Sequence, residues 1–165
     1  MGSDKSRPRL LALFAEPLTY PDGQPVAALD LEDERQEIKS WLADADVDID
    51  FEPGSLDELE KFLLPSVTML HFSGHGNEEG LLVENELGKA QLLRREDLAG
   101  ILSAYNEGNL TLAFLSAVTQ SRLASWSFKP AYPSWWVLCA RQPSAMTQLA
   151  ILLVHSITCS LKDEL

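Results

Sequence analysis

The run Val67–Gly76 reads VTMLHFSGHG and ends with His75 set between Gly74 and Gly76. An unperturbed imidazole titrates near pH ~6.5, so it takes or gives a proton at cellular pH. The flanking glycines permit a tight turn and the close approach of a substrate backbone, so the expectation is a turn that lifts this imidazole out of the sheet edge. A second apolar run, Leu110–Ala117 (LTLAFLSA), ends where a nucleophile would stand beside that histidine, and the next residue is Val118. A valine side chain has no lone pair and no ionisable proton. His75 is a base without an evident partner.

The neighbouring polar residues carry less chemistry. His71 lies inside the run and reads as a hydrogen-bonded core residue. His71 and His75 have the spacing of a helical metal pair, but Gly74 and Gly76 argue against a helix and no further ligands cluster nearby, so neither metal nor cofactor is expected. Ser73 and Ser116 lack the G-x-S-x-G pattern of a nucleophile elbow and read as strand-end hydrogen-bonding groups. Cys139 and Cys159 have no spacing that suggests a metal or a disulfide. The carboxylates of Leu31–Glu37 read as a solvated helix face.

The chain has 165 residues, enough for one domain with a sizeable core, and is 45% hydrophobic and 23% charged, as ordinary globular proteins are. Its net charge of −12 argues against nucleic acid and anionic membrane surfaces as partners. The longest uncharged run, Gln142–Leu161, is too polar for a membrane span. Met1–Arg9 is charged and Leu10–Ala15 too short for a secretory signal, so a cytoplasmic address is expected. The terminal KDEL of Lys162–Leu165 acts only on a chain that enters the secretory pathway. Met1–Ser6 fits a myristoylation pattern and equally a disordered leader (residues 1–7), and the sequon at Asn109 opens a strand expected to be buried. Composition changes at Val118. Beyond it stand Arg122, Lys129, Arg141 and Lys162 against Asp163 and Glu164, together with both cysteines and Trp126, Trp135 and Trp136.

The elements that would position His75 follow from periodicity. Leu10–Ala15 reads as a buried strand and Glu16–Pro25 as a loop. Leu31, Ile38 and Leu42, with Trp41 beside them, predict a helix over Ala27–Ala43. Val47–Phe51 alternates apolar residues with Asp, as a strand near a sheet edge does. Ser55-Leu56-Asp57-Glu58 is a capping box, opening a helix through Leu59, Phe62 and Leu63 that stops before Pro65. Val67–Phe72 is a strand, Leu81–Val83 and Lys89–Leu93 a hairpin or a pair of short extensions, and Arg95–Ala104 an amphipathic helix using Leu98, Ile101 and Leu102. Leu110–Leu115 reads as the last convincing strand. This alternation implies an α/β fold with a mainly parallel sheet and helices on both faces. In such sheets chemistry gathers at the carboxyl ends of the strands, where His75 and Ser116–Val118 lie.

The order LLALFAEPL, LDLEDERQEIKSWL, VDIDFEPGSLDELEKFL, VTMLHFSGHG and LTLAFLSA resembles the CHAT domain, a caspase-related module carried beside tetratricopeptide repeats. The resemblance covers residues 8–117. It implies a caspase-like three-layer sandwich and a cysteine peptidase with a Cys-His dyad acting on a protein or peptide substrate. His75 would be the general base, a backbone N–H at Gly76 would help hold the oxyanion, and the nucleophilic cysteine would occupy the position of Val118.

The residues after Ala117 resemble the family only when read one base out of frame. If one base was lost after the first two bases of the Ala117 codon, the shifted triplets across Ala117-Val118-Thr119-Gln120 have the forms NGT, NAC and NCA, which permit Cys-His-Ser. Across Trp135-Trp136-Val137 the shifted triplets are GTG and GGT, which force Val-Gly, and Met146-Thr147 forces Asp. On this reading residues 118–165 are an out-of-frame tail, the KDEL ending is an accident of frame, and the C-terminal part of the fold is disrupted and prone to aggregate. Two rivals stand beside it. One is a genuine pseudopeptidase that binds partners without chemistry. The other is a flavodoxin- or receiver-type domain, disfavoured because no Gly-rich phosphate loop follows Leu10–Ala15.

Overall fold

Leu10–Ala15 contains no polar side chain, so a strand there must be covered on both faces, and every one of these residues is buried. The computed structural model, which describes residues 7–62, 67–105, 110–119 and 136–140, places the segment at the heart of a seven-stranded sheet. The strands are β1 (Arg9–Phe14), β2 (Asp48–Pro53), β3 (Met69–Gly76), β4 (Gly80–Glu84), β5 (Ala90–Arg94), β6 (Leu112–Thr119) and β7 (Trp136–Ala140). The helices are α1 (Leu31–Trp41), α2 (Leu56–Phe62) and α3 (Arg95–Tyr105).

β1 runs parallel to both β2 and β3, with Leu10 opposite Met69 and Phe14 opposite Ser73. β1 then turns away, and the antiparallel hairpin β4–β5 takes over the same side of β3 at His75 and Gly76. On the other side β6 runs parallel to β3 along its whole length, and β7 runs parallel to β6. The sheet is therefore mixed, mainly parallel, with one hairpin inserted where β1 stops.

Alternation along each strand sorts the core into two buried clusters. Leu11, Leu13, Leu70, Phe72, Ala113 and Leu115 join Leu59 of α2 with Leu98 and Leu102 of α3. Leu10, Ala12, Phe14, Met69 and Leu112 join Leu31, Ile38 and Leu42 around α1. Each fully buried leucine contributes about 2 kcal/mol, so the apolar stripes are ample to dock the helices. One half of the box at Ser55 forms: Glu58 N–H donates to Ser55 Oγ at 3.2 Å, satisfying one orphan donor of α2, while the Ser55 N–H donates to the Pro53 carbonyl at 2.8 Å. Where this helix ends relative to Pro65 lies outside the described residues. At the β1–β2 edge Arg9 Nε donates to Asp50, and that hydrogen bond holds the guanidinium above its ordinary range.

Three expectations need correction. The first helix is shorter than Ala27–Ala43, and Trp41 lies on its open side, 45% exposed. The strand expected over Leu110–Leu115 starts at Leu112 and continues to Thr119, because β3 offers a parallel partner as far as Gly76. Nor is it the last strand, since Trp136–Ala140 extends the sheet beyond it.

Candidate functional site

All the buried polar or charged side chains among the described residues, Glu34, His71, Ser73, His75 and Ser116, gather on the α1 side of the sheet. Burying such groups costs several kcal/mol unless they are paired, so their convergence marks the place where the fold gives up apolar packing. On β3, the alternate positions 69, 71, 73 and 75 share this face. β6 presents Leu112, Phe114, Ser116 and Val118 beside them, in register. Parallel partners stand about 4.8 Å apart across the sheet with their side chains on one side. His71 and Phe114 use that proximity to stack, with ring centroids 5.2 Å apart and 10° between planes. Two steps further toward the carboxyl ends, His75 is partnered with Val118.

His75 is buried, and its Nε2 lies 2.7 Å from the carbonyl oxygen of Ala27, in the loop before α1. A carbonyl only accepts, so Nε2–H donates, and the neutral ring keeps its lone pair on Nδ1. The ring is thereby held by Nε2, one strand spacing from position 118. Val118, partly buried, offers nothing for it to deprotonate. Ser73 is no substitute: its hydroxyl is buried and donates to a Glu34 carboxylate oxygen. Glu34 Oε1 also lies 3.2 Å from His71 Nε2, close enough for a charge contact but without the alignment of a hydrogen bond.

The glycines are explained by crowding, and the expected turn is absent. β3 runs unbroken through Gly76, and the positive glycine φ angles among the described residues occur at Gly23 and Gly88. A Cβ at Gly74 would lie 3.0 Å from Ala15 Cβ, and one at Gly76 would lie 3.0 Å from Ala117 Cβ. His75 consequently sits within the sheet, and no turn lifts it out. Reading the carboxylates of Leu31–Glu37 as wholly solvated was likewise wrong for Glu34, which is 4% exposed. The signal was present: residue 34 falls three places after Leu31 and four before Ile38, on the apolar stripe itself.

Comparison with known proteins bears on the whole arrangement. No family model matches the chain, and no curated protein matches it. A solved structure described as "structure of pro-sf-caspase-1" superposes with a TM-score of 0.58 at 9% identity, covering 83% of this chain and 63% of that one. The fold is caspase-like. This chain spans less than two thirds of that caspase precursor's length, so the likeness concerns architecture alone.

Among the described residues of this caspase-like chain, no group of three or more His, Cys, Asp or Glu is arranged to hold a metal ion. Among them, too, no helix is long and apolar enough to cross a membrane. Cys139 falls in β7 in register with Leu115, while Cys159, His155 and the terminal KDEL lie outside the described residues.

Proposed function

We propose that this chain derives from a CHAT-type, caspase-like cysteine peptidase domain, a three-layer sandwich over residues 8–117, and that as written it has lost its nucleophile. The observation that carries the reading is the register pairing of His75 with Val118. It puts a base whose Nδ1 is the available nitrogen beside the one position where a thiol would be needed. With cysteine at 118, Nδ1 would take the thiol proton and the sulfur would attack the peptide carbonyl carbon. The tetrahedral oxyanion would be held by backbone N–H groups, that of Gly76 among them. Collapse would expel the amine, protonated by the imidazolium, and leave a thioester for water to hydrolyse. Removing the nucleophile of such a dyad costs on the order of a millionfold in turnover. The written chain is accordingly inactive as a peptidase. No cofactor enters this chemistry.

The loss is placed at a single missing base after Ala117, which makes residues 118–165 an out-of-frame tail and residues 1–7 a leader. Intact relatives would act on protein or peptide substrates in the cytoplasm, in company with tetratricopeptide repeats, and without nucleic acid or membrane as partners. Sequencing the encoding DNA tests the frame. Inserting one base at codon 117 should open a reading frame past the present stop, and a frame that closes at once refutes the idea. The dyad is tested with Val118→Cys in a Cys139→Ser/Cys159→Ser background. A thiol-reactive peptide probe should label residue 118, and adding His75→Ala should slow labelling on the order of a hundredfold. Labelling indifferent to His75 would overturn the assignment.

One observation favours a second reading, a non-catalytic pseudopeptidase that serves as a protein-interaction module. Trp136–Ala140, in the written frame, pairs in register with Leu112–Ser116. A selected tail would unfold in the same transition as the sheet, and deleting residues 120–165 would destabilise the chain.

A further inference from the structure

Three successive same-face positions of β3 are in contact with one short stretch of chain. Ser73 and His71 meet the two carboxylate oxygens of Glu34, and His75 donates to the carbonyl of Ala27. Ser73 and His75 lie two positions apart, about 7 Å along the strand, so the segment 27–34 is strapped lengthwise over the candidate site. Its hold on β3 cannot come from the helix cap, because Asp30 makes no side-chain capping hydrogen bond to α1. Leu31 of the same segment is buried in the core, but apolar contact is non-directional and tolerates sliding. A buried carboxylate does not: moving it by an ångström breaks its hydrogen bonds in a low-dielectric setting.

We propose that Glu34 is a positioning residue for His75, holding the Ala27 carbonyl where it accepts the hydrogen bond from Nε2–H and leaves Nδ1 as the base. Glu34 touches no reacting atom. It acts through the chain that joins it to Ala27, with Ser73 and His71 as its anchors on the strand. The catalytic meaning rests on the peptidase reading above, whereas the positioning itself is a property of the chain as it stands.

The test follows the His75 imidazole by ¹H–¹⁵N NMR in the full chain, with His155→Gln to simplify assignment. In the parent protein the Nε2 proton should be visible in water and protected from exchange, in a single Nε2–H tautomer. Glu34→Gln, which keeps an oxygen acceptor for Ser73, should preserve both properties. The triple variant Glu34→Leu/Ser73→Ala/His71→Phe replaces the whole polar set by apolar groups, an exchange that buried networks tolerate well in stability. It should keep α1 by circular dichroism yet exchange the His75 proton roughly tenfold faster, with both tautomers populated. A folded triple variant that retains a single protected tautomer overturns the proposal. Should the triple variant not fold, Ser73→Ala decides by the same two readouts, and unchanged protection there is equally fatal.

The two readings fail separately. In the Val118→Cys background, probe labelling should stay within about twofold for Glu34→Gln and fall on the order of tenfold to a hundredfold for the triple variant. If the cysteine never labels while the His75 proton still responds to the triple variant, the peptidase reading falls and the positioning stands. Should labelling require His75 and yet ignore the triple variant, the positioning falls alone.

Discussion

On the proposed reading, position 118 separates a hydrolase from an inert domain, and it does so by one side chain. The oriented imidazole remains in place with nothing to deprotonate, which is why Val118→Cys labelling is the sharpest test at this scale. A second prediction concerns the glycine beside the base. In Gly76→Ala the new methyl would press on Ala117 Cβ at 3.0 Å and on the Gly80 carbonyl at 3.3 Å. Both neighbours belong to paired strands and cannot swing aside, so the variant should lose about 1–3 kcal/mol in denaturant unfolding. Gly54→Ala should lose more, because its Cβ would fall 2.4 Å from Ala15 Cβ and 2.6 Å from the Ala15 nitrogen. Equal stability of Gly54→Ala and the parent would refute this account of the glycines. His75 was legible in the sequence from its type and neighbours. Glu34 was legible only to someone who weighed its place on the apolar stripe above its charge.

At the scale of elements, the strands and helices follow from patterns a few residues long, and their errors have identifiable causes. The capping box at Ser55 announced α2, and Ser55→Ala should cost about 1 kcal/mol by removing the acceptor for the Glu58 amide. An unchanged unfolding midpoint for that variant would mean that α2 is held by Leu59 packing alone. The hairpin β4–β5 was read from two short apolar runs around a polar loop. What the runs did not say is that the hairpin continues the β1 side of β3 and so flanks His75. The β6 strand outran its apolar stretch because strand length is set by the partner alongside it as well as by local hydrophobicity. Trp41, read as standing beside the helical stripe, is 45% exposed, so a large apolar side chain next to a stripe is not thereby buried.

For the molecule as a whole, the question is whether the sequence after Ala117 was selected for this fold. A domain is stable by only ~5–15 kcal/mol, so unselected sequence in place of a core strand and a closing helix would consume that margin. Restoring the frame by one inserted base should therefore raise the melting temperature and reduce aggregation, measured side by side with the written chain. If the restored protein melts no higher, the frame-slip account loses its physical basis and the pseudopeptidase reading gains. The charge pattern agrees with a break at the same place, since the net negative charge comes from residues 1–117 and the tail is net basic.

The amino-acid order determined the α/β alternation, the capping of α2, the hairpin and the placing of His75 and Val118 at strand ends. Each of these is encoded within a window of several residues, where periodicity and turn chemistry act. Tertiary structure alone decided that His75 stays inside the sheet, that the Ala27 carbonyl accepts the hydrogen bond from its Nε2–H and that Glu34 is buried against Ser73. Those pairs are 48 and 39 residues apart in the chain, and hydrogen bonds over such separations exist only once the strands have found their register.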